Sequence, residues 1–423
     1  MRGFIVFLFF PIIVSCFEIE AKPSKKHSVR QIQSAKPKTT AVVPSESDKP
    51  NVCPRNPALP ADKIDVQERI CSARELLKSE RAEMKICEKK KMICRGKGTK
   101  RHCGMVVTAK PICYRTIILA SMDVKTGRLA IIEMIRLKNG KWSRIGYAIH
   151  SGASDGVDTE YEVRSPPGQV VLGIQYPLSL RTHRGLERVR AVYTPYSDAL
   201  VNAFPELIEV GYLYLFHELE VARQKITEAG VDVADINWET LFALVLVEHL
   251  TNEVVEDKNV ERETRRVLST IGANQELAYR YSVSSAKARG IAQIIPRTWN
   301  ALHRRYPKLV SADFYRGTAT HSIALVTQIL LAKEDLKFLF SQKGWRKNPS
   351  RREEFLRDSR GVGEYLALAY NGGAPRAYRW LESGKKIALP REGLRYIQKF
   401  NQVWKWHQDV KRRTSRAQGK LAL

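Results

Sequence analysis

The sequence predicts a multidomain protein in which an all-α C-terminal domain follows a small β-rich domain and a disulfide-stapled basic region. Three observations support this. The chain has 423 residues, of which 43% are hydrophobic, and this length usually divides into more than one core. Its apolar residues follow a strand-like pattern over residues 114–196 and a helical pattern over residues 197–410. Its cysteines all precede residue 114. We therefore expect a stapled region, a sheet and a helical domain, in that order.

Residues 1–16 have the layout of a secretory signal peptide. Arg2 precedes an apolar run over residues 4–14, which is too short to span a bilayer comfortably. The end of the segment, Ile13-Val14-Ser15-Cys16, is similar to the bacterial lipobox and implies lipidation of Cys16. Ordinary cleavage near Ala21 is the alternative. In both cases the rest of the chain is expected outside the cytoplasm.

Residues 17–52 contain many Lys, Pro, Ser and Thr and few large apolar residues, which predicts a disordered linker. The basic region 53–113 follows, and the spacing over residues 60–94 predicts a helix. An even set of clustered cysteines in an exported chain indicates disulfides, whose pairing the sequence leaves open. Zinc is the alternative, but the spacings contain no CxxC pair, so no metal is expected. The six cysteines are Cys53, Cys71, Cys87, Cys94, Cys103 and Cys113.

The formal net charge of the chain is +27. Such a charge favours polyanionic partners, and in an exported protein these are anionic lipid or acidic wall polymers. No nucleic acid is expected, because no binding signature occurs and the basic residues are spread over the whole chain. A solvated surface without a specific partner is the alternative.

Strand-like runs separated by turn residues fill the segment 114–196, and Asn139-Gly140 between two of them predicts a hairpin. A binding or spacer role is expected for this domain. The helical period then continues over 197–410, with Gly230 and Asp235 marking the ends of the first two helices. Residues 411–423 are expected to form a basic tail.

Three short motifs in the helical domain carry side chains suited to chemistry on sugars. The first is an apolar run that ends in Glu248, and burial by such a run is expected to raise the pKa of its carboxyl, as a general acid requires. The second is SSAKARGIAQIIPRT at residues 284–298, and the third is AYNGG at residues 369–373. Four of their side chains offer hydrogen bonds to a sugar or to the carboxyl: Ser284, Gln293, Tyr370 and Asn371.

Together these motifs resemble those of the soluble lytic transglycosylases, relatives of goose-type lysozyme. Pro390-Arg391-Glu392 with Tyr396 is similar to the closing segment of that family, so the resemblance spans roughly residues 238–400. It implies a lysozyme-like catalytic domain with Glu248 as the catalytic acid and the four residues named above as substrate-binding residues. It also implies cleavage of the MurNAc-GlcNAc β-1,4 bond of peptidoglycan, with 1,6-anhydro-MurNAc ends and without a cofactor.

The N-terminus and the resemblance together predict a location. We expect the protein in the periplasm, attached to the outer membrane through a lipid on Cys16. Glycan strands of peptidoglycan are then its expected partner, and other cell-envelope proteins are further candidates. Two rival functions stay open, namely a lysozyme-type hydrolase on the same fold and a non-catalytic peptidoglycan-binding lipoprotein.

Some features depart from the family pattern. His249 follows the glutamate where the family commonly has Ser, Lys287 replaces a Gly, and Ala292 replaces a Met. The connection from Glu248 to Ser284 is also unusually long, which predicts an inserted helical excursion over the cleft. It leaves three rival carboxyls for the acid: Glu253, Glu256 and Glu276.

Overall fold

The computed structural model describes a β-rich N-terminal region followed by a helical C-terminal region. Residues 1–58, which include the signal, Cys16 and the linker, lie outside the described part of the chain, as do Cys87 and the Asn139-Gly140 turn. None of the described helices is long and apolar enough to cross a membrane. The described residues are 59–60, 63–82, 84–86, 89–95, 102–109, 112–136, 142–144, 146–151, 161–182, 185–251, 254–255 and 259–421.

The cysteine-rich region contains one helix and four strands rather than a helix up to residue 94. Helix α1 (Val66–Ser79) begins at Asp65, whose carboxylate accepts the N–H groups of Gln67 and Glu68 at 3.0 and 3.2 Å. The longer helix was wrongly predicted, because the residues after Ser79 pair with strands that lie later in the chain, and such pairing overrides local spacing. The strands are β1 (Met84–Ile86), β2 (Lys89–Arg95), β3 (His102–Ala109) and β4 (Ile112–Arg115).

Disulfide bonding is confirmed for three of the six cysteines. Cys94 and Cys103 lie directly opposite each other in the antiparallel β2–β3 pair and are joined by a disulfide. Cys71 on α1 is also disulfide-bonded. Cys53 and Cys87 are outside the described residues. Strand β1 pairs antiparallel with β4, and the paired strands β2 and β3 lie between them in the chain.

The predicted strand-like runs form a seven-stranded sheet with the order β11-β10-β5-β6-β7-β8-β9. Strands β6 and β7 pair antiparallel on either side of the predicted turn. The two edges of the sheet approach each other, since the N–H of Val163 in β9 donates to the carbonyl of Tyr196, just after β11, at 3.1 Å. Its strands are β5 (Ile117–Asp123), β6 (Leu129–Arg136), β7 (Trp142–Arg144), β8 (Tyr147–Ser151), β9 (Tyr161–Arg164), β10 (Gln169–Thr182) and β11 (Gly185–Tyr193).

The helical period after residue 197 is confirmed, with two differences. Pro205 divides the first predicted helix into α2 and α3, because proline cannot continue a helix in its interior. The predicted tail is also helical, since the last helix continues to Leu421. The helices are α2 (Asp198–Ala203), α3 (Glu206–Glu228), α4 (Trp238–His249), α5 (Val260–Asn274), α6 (Pro296–Arg305), α7 (Phe314–Thr318), α8 (His321–Ser341), α9 (Lys343–Arg346), α10 (Pro349–Arg357), α11 (Ser359–Gly372), α12 (Ala374–Glu382) and α13 (Arg391–Leu421).

The β-rich and helical regions share a buried junction. One face of the sheet packs against α1, and the same apolar cluster includes Leu207 of α3 and Ala273 of α5. The guanidinium of Arg74 on α1 donates to the carbonyl of Ala273 at 2.7 Å and to the side chain of Asn274 at 2.9 Å. Asn274 in turn donates to the carbonyl of Thr194 at 2.8 Å. Helix α1 therefore connects the sheet to the helical core.

Candidate functional site

Glu248 lies in the last turn of α4, the most apolar helix of the core. This helix begins at Asn237, whose side chain accepts the N–H of Glu239 at 2.8 Å. Every residue from Glu239 to Val247 is buried, so α4 is surrounded by other elements on all sides. Glu248 is partly buried, at the point where the helix reaches a cleft. The apolar run thus places a carboxyl at the border between the core and solvent.

The cleft has a volume of about 460 Å³ and is formed mainly by the end of α4 and the first turns of α13. Burial, together with the smaller effect of the nearby carboxylate of Glu392, raises the pKa of Glu248 to about 7. A hydrogen bond from Tyr396 and the charge of Lys399 oppose this shift but do not cancel it. The carboxyl therefore keeps its proton to a higher pH than an exposed glutamate does. The lining residues are Val247, Glu248, Asn371, Arg391, Glu392, Arg395, Tyr396 and Lys399.

Helix α13 fixes the position of Glu248 through two contacts. The hydroxyl of Tyr396 donates to Oε1 of Glu248 at 2.5 Å. One turn further along, the ammonium of Lys399 donates to the carbonyl of Leu250, the residue that ends α4, at 2.7 Å. A carboxyl held in this way keeps one orientation while the rest of its surface faces the cleft.

Hydrogen bonds bring the three sequence motifs together. His249, next to the carboxyl, donates through Nε2 to the carbonyl of Ile291 in the second motif at 2.8 Å. Tyr370 of the third motif donates its hydroxyl to the carbonyl of the adjacent residue, Ala292. The segment around residue 291 is therefore attached to the residues beside Glu248 on one side and to α11 on the other.

His249 has a structural role beside Glu248. Its ring stacks on that of Tyr279 with centroids 3.5 Å apart. Burial lowers the pKa of His249 to about 3, so the ring is neutral at physiological pH. Its single N–H is on Nε2, which donates to the carbonyl of Ile291. The histidine supports the loop rather than transferring protons.

The other site residues predicted from the sequence fall into two groups. Asn371 lines the cleft with Glu248. Tyr370 lies beside it, but the hydrogen bond to the carboxyl that we expected from Tyr370 comes from Tyr396, because the Tyr370 hydroxyl is bonded to the loop carbonyl. The local spacing of Tyr396 in α13 held no indication of this contact.

Ser284 and Gln293 are not among the described residues that line the cleft. The hydroxyl of Ser284 accepts the N–H of Ala288 at 3.0 Å and closes a tight turn. Gln293 is buried, and its amide donates to the carbonyl of Gly290 at 2.8 Å. Both side chains hold the loop of the second motif in shape.

The rival carboxyls have different positions. Glu276 is exposed and lines a separate cleft of about 440 Å³ with Glu218 and Tyr214. Glu253 and Glu256 are outside the described residues. The insertion contains a helix, α5. We predicted that it would extend over the cleft at Glu248, but its residues do not line that cleft. Instead, α5 packs along α3, and Arg266 on it donates to the carbonyl of His249 at 2.6 Å.

The sequence identified Arg391 only as part of a motif and indicated no role for the basic residues of the cleft. Arg391, Arg395 and Lys399 recur every four residues, which is the spacing of one helical face. That spacing was readable from the sequence, but only the packing of α13 against the end of α4 makes it a wall of the site.

In comparisons with known proteins, no family model, no curated protein and no solved structure matches this chain.

Proposed function

We propose that this protein is a peptidoglycan lytic transglycosylase with Glu248 as its catalytic acid and base. The observation that carries the proposal is a carboxyl with a pKa of about 7 that is fixed by Tyr396 in an open cleft. A group with this pKa can donate a proton and take one back near neutral pH, as general acid–base catalysis requires. The three motifs that resemble those of the soluble lytic transglycosylases lie around this carboxyl.

In the proposed reaction Glu248 first gives its proton to the oxygen that links C1 of MurNAc to GlcNAc, and the C1–O bond breaks. The N-acetyl group of MurNAc stabilises the positive charge that develops at C1, which is the substrate-assisted exception to two-carboxylate glycosidases. The carboxylate of Glu248 then takes the proton of the C6 hydroxyl as its oxygen bonds to C1. This leaves a 1,6-anhydro end and restores the acid.

The chain supplies two further contributions to this reaction. The hydroxyl of Tyr396 donates to Glu248, so it stabilises the carboxylate that exists between the two proton transfers. The amide of Asn371 in the cleft offers a donor and an acceptor for the sugar. Attachment to the outer membrane through Cys16 and contacts with other envelope proteins are part of the same proposal.

Hydrolysis is the second candidate, and Glu392 is the observation that favours it. This exposed carboxylate lines the same cleft as Glu248. A second carboxylate near the acid is typical of glycosidases that activate water. In that case water would replace the C6 hydroxyl, and the products would carry reducing ends.

Digestion of purified sacculi, with the products weighed by mass spectrometry, tests the proposed reaction. We expect muropeptides with anhydro ends, which are lighter than hydrolysis products by one water. Reducing ends would assign the protein to the hydrolases. An intact sacculus that still binds the protein would indicate a non-catalytic wall-binding lipoprotein.

Tyr396→Phe should move the alkaline limb of the pH–rate profile to higher pH. The hydroxyl of Tyr396 favours the charged form of Glu248, so its removal raises the pKa of the carboxyl above about 7 and the acid keeps its proton longer. We expect only a modest loss of the maximal rate. Measurement of kcat on soluble glycan oligomers between acidic and alkaline pH checks this.

Tyr370→Phe is the matched control, because it removes a hydroxyl that bonds to the carbonyl of Ala292 instead of to the carboxyl. Its alkaline limb should stay near that of the parent. An unchanged limb in Tyr396→Phe contradicts the assigned role of this tyrosine.

A further inference from the structure

A second cleft, separate from the one described above, has a volume of about 440 Å³. It is formed by α3, by the short turn Gln275–Leu277 that follows α5 and by the start of α8, and Arg74 of α1 reaches it. Its charged side chains are of both signs, because the carboxylates of Glu218 and Glu276 line it together with the cations of Arg74 and Lys225. The cleft can therefore receive a positive and a negative group at the same time.

The two carboxylates are not paired with these cations. In the described part of the chain, neither Glu218 nor Glu276 accepts a hydrogen bond or forms an ion pair. Burial raises the pKa of Glu218, and the charge of Glu276 adds to the shift, so the two carboxylates are close enough to repel each other. A cation bound between them would relieve this repulsion.

Arg74 supplies a cation in a fixed position. Its Nη2 donates to the carbonyl of Ala273 at 2.7 Å and to the side chains of Asn274 and Thr194 at 2.9 and 3.3 Å. Its buried Nε has no acceptor among the residues that the structure describes. Burial lowers the pKa of Arg74 to about 10, so the guanidinium is still charged at neutral pH. A buried cation with an unused donor is stabilised by an anion in the cleft that it lines.

The start of α8 adds further donors. This helix of 21 residues begins after Thr320 and has no side-chain cap. The backbone N–H groups of His321 and Ser322, which both line the cleft, have no acceptor in the described ranges of the chain. Free N–H groups at the start of a helix favour a negative charge. An anionic group in the cleft is therefore favoured both by Arg74 and by the start of α8.

The ring of His321 determines what Tyr214 can offer. Burial lowers the pKa of His321 to about 4, so the ring is neutral at physiological pH. Its Nε2 donates to the carbonyl of Ala278 at 2.7 Å, and its Nδ1 therefore accepts the hydroxyl of Tyr214 at 3.0 Å. Because the hydroxyl of Tyr214 has given its proton to His321, it can only accept from a ligand. Tyr214 is four residues before Glu218 on α3, so it adds an acceptor on the acidic side of the cleft.

We propose that this cleft binds a small zwitterion, an amino acid or short peptide whose ammonium and carboxylate are both free. Glu218, Glu276 and the hydroxyl of Tyr214 hold the ammonium. Arg74 and the start of α8 hold the carboxylate. A ligand with a single charge would leave one of these sets without a partner and would meet charges of its own sign. The site is separate from Glu248, so the inference goes beyond the proposed function.

Calorimetric titration of the full-length protein tests the inference with four probes, namely L-alanine, D-alanine and the L,L and D,D forms of alanylalanine. We expect at least one of them to bind saturably. Its N-acetylated form lacks the ammonium and its amide lacks the carboxylate, so each should bind about tenfold or more weakly. The probe that binds best shows the size and the hand of the ligand that the cleft accepts.

Glu218→Gln combined with Glu276→Gln should weaken binding of that probe about tenfold or more and leave the affinity for its N-acetylated form unchanged. Glu220→Gln is the matched control, since Glu220 is an exposed carboxylate on α3 that is not among the described lining residues. Arg74 is left in place, because its bonds to Ala273 and Asn274 connect α1 to α5. Thermal melting checks that the double variant is folded, and the comparison of probes uses the parent protein alone.

Three results would each overturn the inference: no saturable binding of any of the four probes, equal affinity for the blocked forms, or unchanged affinity in the folded double variant. None of them bears on the proposed function, which depends on Glu248 and is read from the products of sacculus digestion. Failure of that digestion would equally leave the zwitterion site intact.

Discussion

Glu248→Gln is expected to abolish turnover while leaving the fold and glycan binding nearly intact. The amide has the size of the carboxyl and still accepts the hydrogen bond from Tyr396, so α4 loses no packing. It cannot deliver a proton, and loss of general acid catalysis alone costs about 100-fold to 10,000-fold in rate. Because the same group is proposed to act as the base, the loss should lie at or beyond the upper end of that range. Release of anhydro muropeptides from sacculi measures it.

The same substitution should change how stability depends on pH. The folded-state pKa of Glu248, about 7, is above the usual value of 4.5. The folded state therefore holds this proton more tightly than the unfolded state does, and stability falls as pH rises from 4.5 to about 7. Glutamine has no such dependence. Thermal melting of Glu248→Gln should match that of the parent at acidic pH and exceed it at and above neutral pH.

Glu276→Gln is the control for the choice of the acid. Glu276 is exposed in a separate cleft, so its amide variant should keep near-parental release of muropeptides. If Glu248→Gln remains active and Glu276→Gln does not, the motif alignment is misplaced and the acid lies in the inserted segment. Glu392→Gln separates the two candidate reactions, because only hydrolysis would need that carboxylate.

Gly211→Ala is expected to destabilise the protein by about 3 kcal/mol or more, which overpacking at a rigid contact can cost. Helices α3 and α5 cross with their backbones in contact at Gly211 and Gly272. A Cβ on Gly211 would lie 1.9 Å from the carbonyl oxygen of Leu268, and one on Gly272 would lie 1.9 Å from that of Leu207. Both obstacles are backbone, so the helices themselves must separate. Denaturant unfolding measures the loss.

Gly344→Ala in α9 is the matched control. The nearest atom to its added Cβ is Nη1 of Arg351 at 3.4 Å, the end of a flexible side chain. Alanine also favours helix over glycine by about 1 kcal/mol, so this variant should be neutral or slightly more stable. Parental stability in both Gly211→Ala and Gly272→Ala would show that the α3–α5 contact is looser than described.

The α3–α5 contact also bears on the site. Arg266 on α5 donates to the carbonyl of His249, beside Glu248. A displaced α5 would therefore shift the end of α4, and we expect Gly211→Ala to lose activity at temperatures where it is still folded.

The sequence by itself determined the order of the two regions and the position of the central carboxyl. A change of the apolar period from two to about 3.6 marks the transition from sheet to helices, since each element must bury one face. The run Leu241 to Val247 predicted a core helix, and burial at the end of that helix raises the pKa of Glu248. Two of the clustered cysteines, Cys94 and Cys103, were paired as the disulfide prediction required.

Only the tertiary structure decided which groups surround that carboxyl and where the cysteine-rich residues pair. Tyr396 and Lys399 are far from Glu248 in the chain, and they reach it because α13 packs against the end of α4. Strands form after Ser79, where the sequence predicted a helix. They form because they pair with other strands, and the local spacing of apolar residues does not indicate that pairing. Local periodicity reports which face of an element is buried, whereas contacts between elements depend on the packing of the whole core.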